Sequence, residues 1–262
     1  LEGASFSEMA GGGVNSVELV AKLINRGDDI VDGIVRMQNA IEGSVCLLLM
    51  TAEGLYAARD RYGRFPLSIG RNIRSDSPPP GFAVATESSS FPNLGYEQIR
   101  SLGPGEIVRL DGSGIRDEHP AGNERRVCAF LWIYTGDPAS VYEGISVEKA
   151  RERCGQAMAS GDEVEADFVT GLPDSGVGHA IGYAMESGLP YRRPLVKYTP
   201  GYGRSYTPPS QDIRDIVATM KLNAVRDVIQ GSRMVVCDDS IVRGTQLKNY
   251  TIRKLWDNGA KE

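Results

Sequence analysis

From residue 147 to residue 258, helix-period stretches alternate with short apolar runs of strand character. That alternation restricts this part of the chain to a sheet crossed by helices. A helix is predicted over 147–159, then the strand DFVTGL, the helix GVGHAIGYAMESG, the strand PLVKY and a long loop. A helix over about 212–222, the strand RMVVCDD and a helix over about 246–258 complete the series. The expected sheet is mainly parallel.

The first half keeps a different rhythm. NSVELVAKLINRG opens with Asn15 as a cap, has Glu18 three places on, and carries apolar residues at Val17, Leu19, Val20, Leu23 and Ile24. It stops at Gly27, which predicts a helix. A second helix is expected over 31–41, ending at Gly43, after which SVCLLLM, TAEG and LYAARD read as strand, turn and strand. Further strands are expected around 66–70, 82–86 and 106–110, the last turning through DGSG into a partner from Ile115. The result is two helices against several mostly antiparallel strands, with SDSPPPG at 75–81 as a surface loop among them. RDEHPAGNERR, at 116–126, is polar and turn-rich, so domains are expected at 1–120 and 121–262.

A chain of 262 residues can form one large domain or two ordinary ones, each with its own core. The net charge of -5, with acids and bases interspersed, provides no basic stripe, so neither nucleic acid nor a membrane is an expected partner. The longest apolar run, 45–50, is far too short to span a bilayer, and no charged-then-apolar leader precedes it. Cys46, Cys128, Cys154 and Cys237 show no CxxC pair and no framework spacing. A soluble, cytoplasmic protein without disulfides is expected. Because the chain starts at Leu1 and ends just past a helical pattern, it reads as an internal fragment.

The chemistry concentrates in MVVCDDSIVRGT, residues 234–245, where a buried-type strand ends in two adjacent carboxylates and runs through a small-residue loop into a helix. Ligands of open parallel sheets bind beyond the carboxyl ends of strands. The loop offers backbone N–H groups, the hydroxyls of Ser240 and Thr245, a helix N-terminus, and Gly244 for close approach, a set that suits a phosphate monoester. Asp238 and Asp239 beside an anion cradle are unfavourable for phosphate alone. They point to a ligand that also carries hydroxyls or a divalent metal, and a ribose 5-phosphate with Mg²⁺ satisfies both. GxxxxGK[ST] is absent, so this is not a Walker loop. Upstream, FVTGLP runs into PDSG and a helix, a second strand-end nest that taken alone is more often an ordinary turn. Residues 197–214, KYTPGYGRSYTPPSQDIR, are rich in Gly, Pro and Tyr, which suits either a lid or an exposed connection.

VVCDDSIVRGT resembles the phosphoribosylpyrophosphate (PRPP) fingerprint of type I phosphoribosyltransferases, in the version found in glutamine phosphoribosylpyrophosphate amidotransferases. The resemblance implies PRPP binding by Asp238, Asp239, Ser240, Ile241, Val242, Arg243, Gly244 and Thr245. It matches PDSG to the pyrophosphate loop, adding Asp174, Ser175 and Gly176, and places Ser175, Asp238 and Asp239 around Mg²⁺. Arg204, Tyr206 and Gln211 match a lid that closes on PRPP. Lys221 in MKLNAVRD matches a phosphate ligand, although the residues alone equally allow a solvated helix lysine.

LYAARDRYGRFPLSIG, 55–70, and FAVATESSSFPNLGYEQIRSLGPGEIVRL, 82–110, resemble the glutaminase domain of N-terminal-nucleophile amidotransferases. Read residue by residue they show short strands, tight turns and a Gly-Pro-Gly corner at 103–105, which makes Arg59, Asp60 and Glu87 structural before catalytic. In that family a Cys at the mature N-terminus attacks glutamine, with its own α-amino group as base. This chain has no such Cys, so no catalytic residue is assigned, and no Asp stands near Ser16 where the family holds glutamine. Cys128 matches the first ligand of a 4Fe-4S cluster in one branch, while a buried structural thiol is the plainer reading. Cys46, Cys154 and Cys237 read as packing residues, and His119 and His179 are isolated.

The combined resemblance implies a partial α+β glutaminase-type domain followed by an α/β type I phosphoribosyltransferase domain. It implies a parent that is a homo-oligomer and makes 5-phosphoribosylamine, glutamate and pyrophosphate from PRPP, glutamine and water, with Mg²⁺ and, in some members, the cluster. Glutaminase activity is not expected of this chain itself. The alternatives are a non-catalytic PRPP-binding or regulatory module and an ammonia-dependent transferase.

Overall fold

The structure, a computed structural model, describes residue 6 and residues 14–74, 80–198, 220, 222–241, 244 and 246–261. The chain divides into two compact units, Leu1–Ala129 with Ala139–Gly144, and Phe130–Pro138 with Ile145–Glu262. The turn-rich stretch 116–126 thus lies within the first unit, to which a short later segment also returns.

In the first unit, α1 (Ser16–Ile24) starts where Asn15 accepts the amides of Val17 and Glu18 at 3.0 and 3.2 Å. Asp29 caps α2 (Ile30–Ala40) by accepting from the amide of Asp32 at 2.8 Å. Strands β1 (Leu47–Thr51), β2 (Gly54–Ala58), β3 (Ser68–Asn72) and β4 (Phe82–Ala85) follow. Next come a short helix α3 (Ser90–Leu94), β5 (Tyr96–Ser101), β6 (Ile107–Asp111), β7 (Gly114–His119) and the two-residue β8 (Val141–Tyr142). One sheet has the order β1-β2-β6-β7 and another β4-β3-β5, and every pairing within them is antiparallel.

Side-chain alternation divides the core. Tyr56, Ala58 and Ile107 face Ile24, Ile34 and Met37 of the helices, whereas Ala57, Val108 and Leu110 face Leu67 and Ile69 of the second sheet. The unit is therefore layered as helices, sheet and sheet. The expected strands are present, but α3 and β5 were not legible. In β5 the aliphatic Ile99 is exposed, so the strand exists by pairing with β3 and not by burying an apolar face.

Arg59, at the end of β2, is 1% exposed and ties this unit together. Its Nε donates to the Phe65 carbonyl at 2.8 Å, Nη2 donates to the Gly63 carbonyl and to Glu143 Oε1, each at 2.6 Å, and Nη1 donates to the Leu102 carbonyl. Asp60 accepts the amides of Tyr62 and Phe65, which shapes the turn after β2. Glu87 accepts from Ser140 Oγ at 2.6 Å and from the Tyr142 hydroxyl. These three residues are engaged structurally, and Glu87 and Arg59 together anchor the returning segment Ala139–Gly144.

The second unit contains a π-helical turn (Leu131–Thr135), β9 (Ile145–Ser146), α4 (Val147–Ala159), β10 (Phe168–Gly171), α5 (Val177–Ser187) and β11 (Leu195–Lys197). It continues with β12 (Leu222–Ala224), the short helix Arg226–Ile229, β13 (Met234–Cys237) and helical turns Gln246–Ile252 and Arg253–Asp257. Arg151, buried on α4, donates to the carbonyls of Trp132 and Gly136 at 2.9 and 2.8 Å, satisfying groups that the irregular turn leaves open.

Helices α4 and α5 cross with their backbones in near contact. A methyl group added at Gly155 would overlap the His179 carbonyl, and one at Gly182 would overlap the Glu152 carbonyl. Ala159, Val169, Ala180, Tyr183 and Cys237 close one core, and Leu172, Leu195, Ile229 and Leu255 another.

The expected mainly parallel sheet is corrected to a mixed arrangement. β10 and β13 are parallel, but β11 and β12 are antiparallel. Leu222, expected at the end of a helix, instead runs back along Lys197 as strand, and the rest of that expected helix lies largely outside the described residues. No described helix is long and apolar enough to cross a membrane.

Candidate functional site

Parallel pairing of β10 with β13, with Gly171 opposite Cys237, makes both strands leave the sheet at the same end. The loop 173–176 follows β10 and the acid pair follows β13. The Leu172 amide donates to the Cys237 carbonyl at 2.9 Å, and the Gly176 amide closes the loop by donating to the Leu172 carbonyl at 2.9 Å. An added methyl at Gly176 would overlap that same Cys237 carbonyl, so only glycine lets the loop seat against the strand end. The Pro173–Asp174 peptide bond is cis.

Side chains continue the join. Ser175 Oγ donates to Asp238 Oδ1 at 3.3 Å, and the same oxygen accepts the Asp239 amide at 2.9 Å. Ser240 Oγ donates to Asp239 Oδ1 at 3.0 Å. Helix α5 follows its cap residue Gly176; the Val177 amide donates back to the Asp174 carbonyl at 3.3 Å, and no side chain caps the helix N-terminus against an anion.

Burial pushes the Asp238 carboxyl above its ordinary range, and the neighbouring charge of Asp239 adds to this, while the Asp239 amide and the Ser175 hydroxyl work against it. Neither carboxylate forms an ion pair with another described residue. Two adjacent acids with uncompensated charge and a hydroxyl between the loops fit Mg²⁺, which binds through one or two carboxylates and completes its shell with water and substrate phosphate. No group of three or more His, Cys, Asp or Glu suited to a metal occurs among the described residues. Cys237, directly before the acids, has its thiol pushed up to about 11 by burial and stays protonated.

Of the residues picked from sequence, Asp174, Ser175, Gly176, Asp238, Asp239 and Ser240 come together here. Ile241 is exposed, and Gly244 adopts φ +68°, the left-handed region that favours glycine. Val242, Arg243, Thr245, Lys221, Arg204, Tyr206 and Gln211 lie outside the described residues. Cys128, expected as a buried thiol, is exposed, because the polar, charged run before it keeps that stretch at the surface. All four cysteines are free.

Sequence reasoning missed Lys197. Its Nζ lies 2.7 Å from Asp174 Oδ2 in the loop. The available signal was a cation at the carboxyl end of the strand PLVKY.

No family model matches the chain. Three curated relatives are each called amidophosphoribosyltransferase. That of Mycobacterium tuberculosis is 40% identical over 222 residues, covering 85% of this chain and 41% of the relative. That of Archaeoglobus fulgidus is 38% identical over 246 residues (94% and 52%), and that of Bacillus subtilis 37% over 251 residues (95% and 51%). A solved glutamine PRPP amidotransferase from B. subtilis, complexed with ADP and GMP, superposes with a TM-score of 0.83 at 36% identity, covering 100% of this chain and 55% of that one. The chain spans about half the length of the curated relatives it matches. With this identity along nearly its whole length and the same fold, the chain belongs to the amidophosphoribosyltransferase family.

Proposed function

We propose that the second unit is the PRPP site of an amidophosphoribosyltransferase, the enzyme of the first step of purine synthesis, and that the first unit is its glutaminase-type domain. The observation that carries this reading is the junction of two loops at one sheet end, where Ser175 meets Asp238. In the reaction, ammonia released from glutamine by hydrolysis forms the N–C1 bond of 5-phosphoribosylamine as the bond from C1 to pyrophosphate breaks.

Each part of the site has a task in that displacement. Loop 173–176 and the first amides of α5 orient the pyrophosphate, and the loop from Ser240 to Gly244 holds the 5-phosphate. Asp238 and Asp239 accept from the ribose hydroxyls and, with Ser175, would hold Mg²⁺. When bound there, the ion would supply positive charge against the departing pyrophosphate. Fixing both ends of the sugar aims C1 at the incoming nitrogen, so the catalytic gain is positional and electrostatic and needs no acid or base from this pair. The helices and two antiparallel sheets of the first unit support the glutaminase assignment.

Calorimetric titration of PRPP, with and without Mg²⁺, tests the reading. Binding is expected to need Mg²⁺ and to vanish in the Asp238→Asn, Asp239→Asn double variant. Mg-dependent affinity that survives in the variant would remove the acid pair from the site.

The burial of Asp238 adds a pH prediction. Folding raises its pKa, so protonation favours the folded state, a contribution fully present below the ordinary value of 3.8 and lost as pH rises through the raised one. Asp238→Asn should therefore not lower the melting temperature of the ligand-free chain at neutral pH, although it abolishes Mg-dependent binding. For the unsubstituted chain, Mg-dependent affinity should fall as the pH is lowered through the same window. Parallel melting curves and titrations at two pH values check both.

A further inference from the structure

We infer that Lys197 is a positioning residue that Asp174 holds in reserve and releases to the pyrophosphate of the substrate. The inference rests on the PRPP reading and assigns a specificity role within that site. Lys197 is the last residue of β11, and its ammonium lies 2.7 Å from Asp174 Oδ2. Asp174 belongs to the loop that closes against the end of β13, one residue before the serine that bonds Asp238. The ammonium therefore stands beside the position that a pyrophosphate must reach.

The two side chains are unequally committed. Asp174 is 71% exposed and Lys197 43%, so the pair is open to solvent and weak, and breaking it carries a small penalty. A pyrophosphate oxygen, with more negative charge than a single carboxylate, outcompetes Asp174 for the ammonium. Asp174 then turns to water. In the absence of ligand the same carboxylate keeps Lys197 aimed at the loop. No bond is made or broken in this exchange, which transfers a charge-assisted hydrogen bond from one acceptor to another.

A purely structural tether and a handover differ in sign at Asp174. If the pair only braces the loop, removing either partner weakens binding alike. If Asp174 competes with the ligand, Asp174→Asn frees Lys197 and tightens binding. The experiment is calorimetry of the whole chain with Mg-pyrophosphate and, separately, with ribose 5-phosphate. The variants are Lys197→Gln, Lys197→Arg, Asp174→Asn and Asp174→Asn, Lys197→Gln.

Lys197→Gln should weaken pyrophosphate binding about tenfold, the scale of one charge-assisted hydrogen bond, and Lys197→Arg should restore part of it. Asp174→Asn should tighten it about threefold, the scale of an exposed ion pair. Most of that gain should disappear in the Lys197→Gln background, where nothing is left to release. Ribose 5-phosphate, which lacks the pyrophosphate, should bind all variants alike. Equal weakening by both single variants, or a gain from Asp174→Asn that is unchanged without Lys197, would overturn the handover. If the unsubstituted chain binds neither PRPP nor pyrophosphate, the PRPP reading fails and this inference with it, whereas binding that ignores the substitutions overturns this inference alone.

Discussion

Gly182→Ala should destabilise the second unit by about 2–3 kcal/mol, even though alanine is the better helix former by about 1 kcal/mol. The two effects have opposite signs, so the measurement decides between them. A new methyl at this position would overlap the Glu152 carbonyl, which belongs to the backbone of the facing helix and cannot rotate away. Gly155→Ala should behave alike, because its methyl would meet the His179 carbonyl. The two positions share one helix crossing, so the double variant should fall short of the sum of the singles. Gly161→Ala, where nothing lies close, serves as the neutral control. Thermal melts by circular dichroism should show both core variants lowered by several degrees and the control unmoved. A gain at Gly182 would mean that the helices separate easily and that their close approach is not a constraint on the fold.

The second large effect belongs to Arg59. Arg59→Met should cost about 3–5 kcal/mol, because it takes from Glu143 its buried partner and leaves the carbonyls of Gly63, Phe65 and Leu102 without that guanidinium donor. Arg59→Lys keeps the charge but cannot reach so many acceptors at once, and should lose most of the same stability. Adding Glu143→Gln to Arg59→Met should recover part of the loss, since it removes a carboxylate that has lost its buried partner. Arg125 also reaches Glu143, at 2.7 Å, so the recovery should be partial. Denaturant titration of the three variants checks the ordering. Equal stability of Arg59→Met and the unsubstituted chain would show that the buried cation does not hold the first unit together.

The sequence made legible whatever rests on local chemistry. Asn15 and Asp29 cap the helices they precede, and the apolar runs on either side of TAEG yield two paired strands, because capping and turn chemistry act over a few residues. The acid pair and PDSG were likewise visible as separate strand-end loops. What the residues taken alone could not disclose, and only the family resemblance implied, was that β10 and β13 are neighbours, which brings two ordinary loops together into one candidate site. Pairing between strands more than sixty residues apart depends on the whole core and not on either string. The same limit hid Lys197, whose relevance exists only once β11 is placed. It also hid β5, whose single aliphatic residue points outward, and the return of Ala139–Gly144 to the first unit through Glu87 and Arg59.

That returning segment bears on how such a protein can be taken apart. A single cut at residue 120 would leave Ala139–Gly144 on the later piece, while Glu87 and Arg59 stay with the earlier one. Tyr142, 2% exposed in the intact chain, would lose its hydroxyl's acceptor, and Glu143 would lose its buried arginine. The chain passes between the two units more than once, so the later piece of such a cut should behave poorly for reasons unrelated to its own candidate site. Shuffling of these two halves among proteins would succeed only if the short return segment travelled with the half it serves.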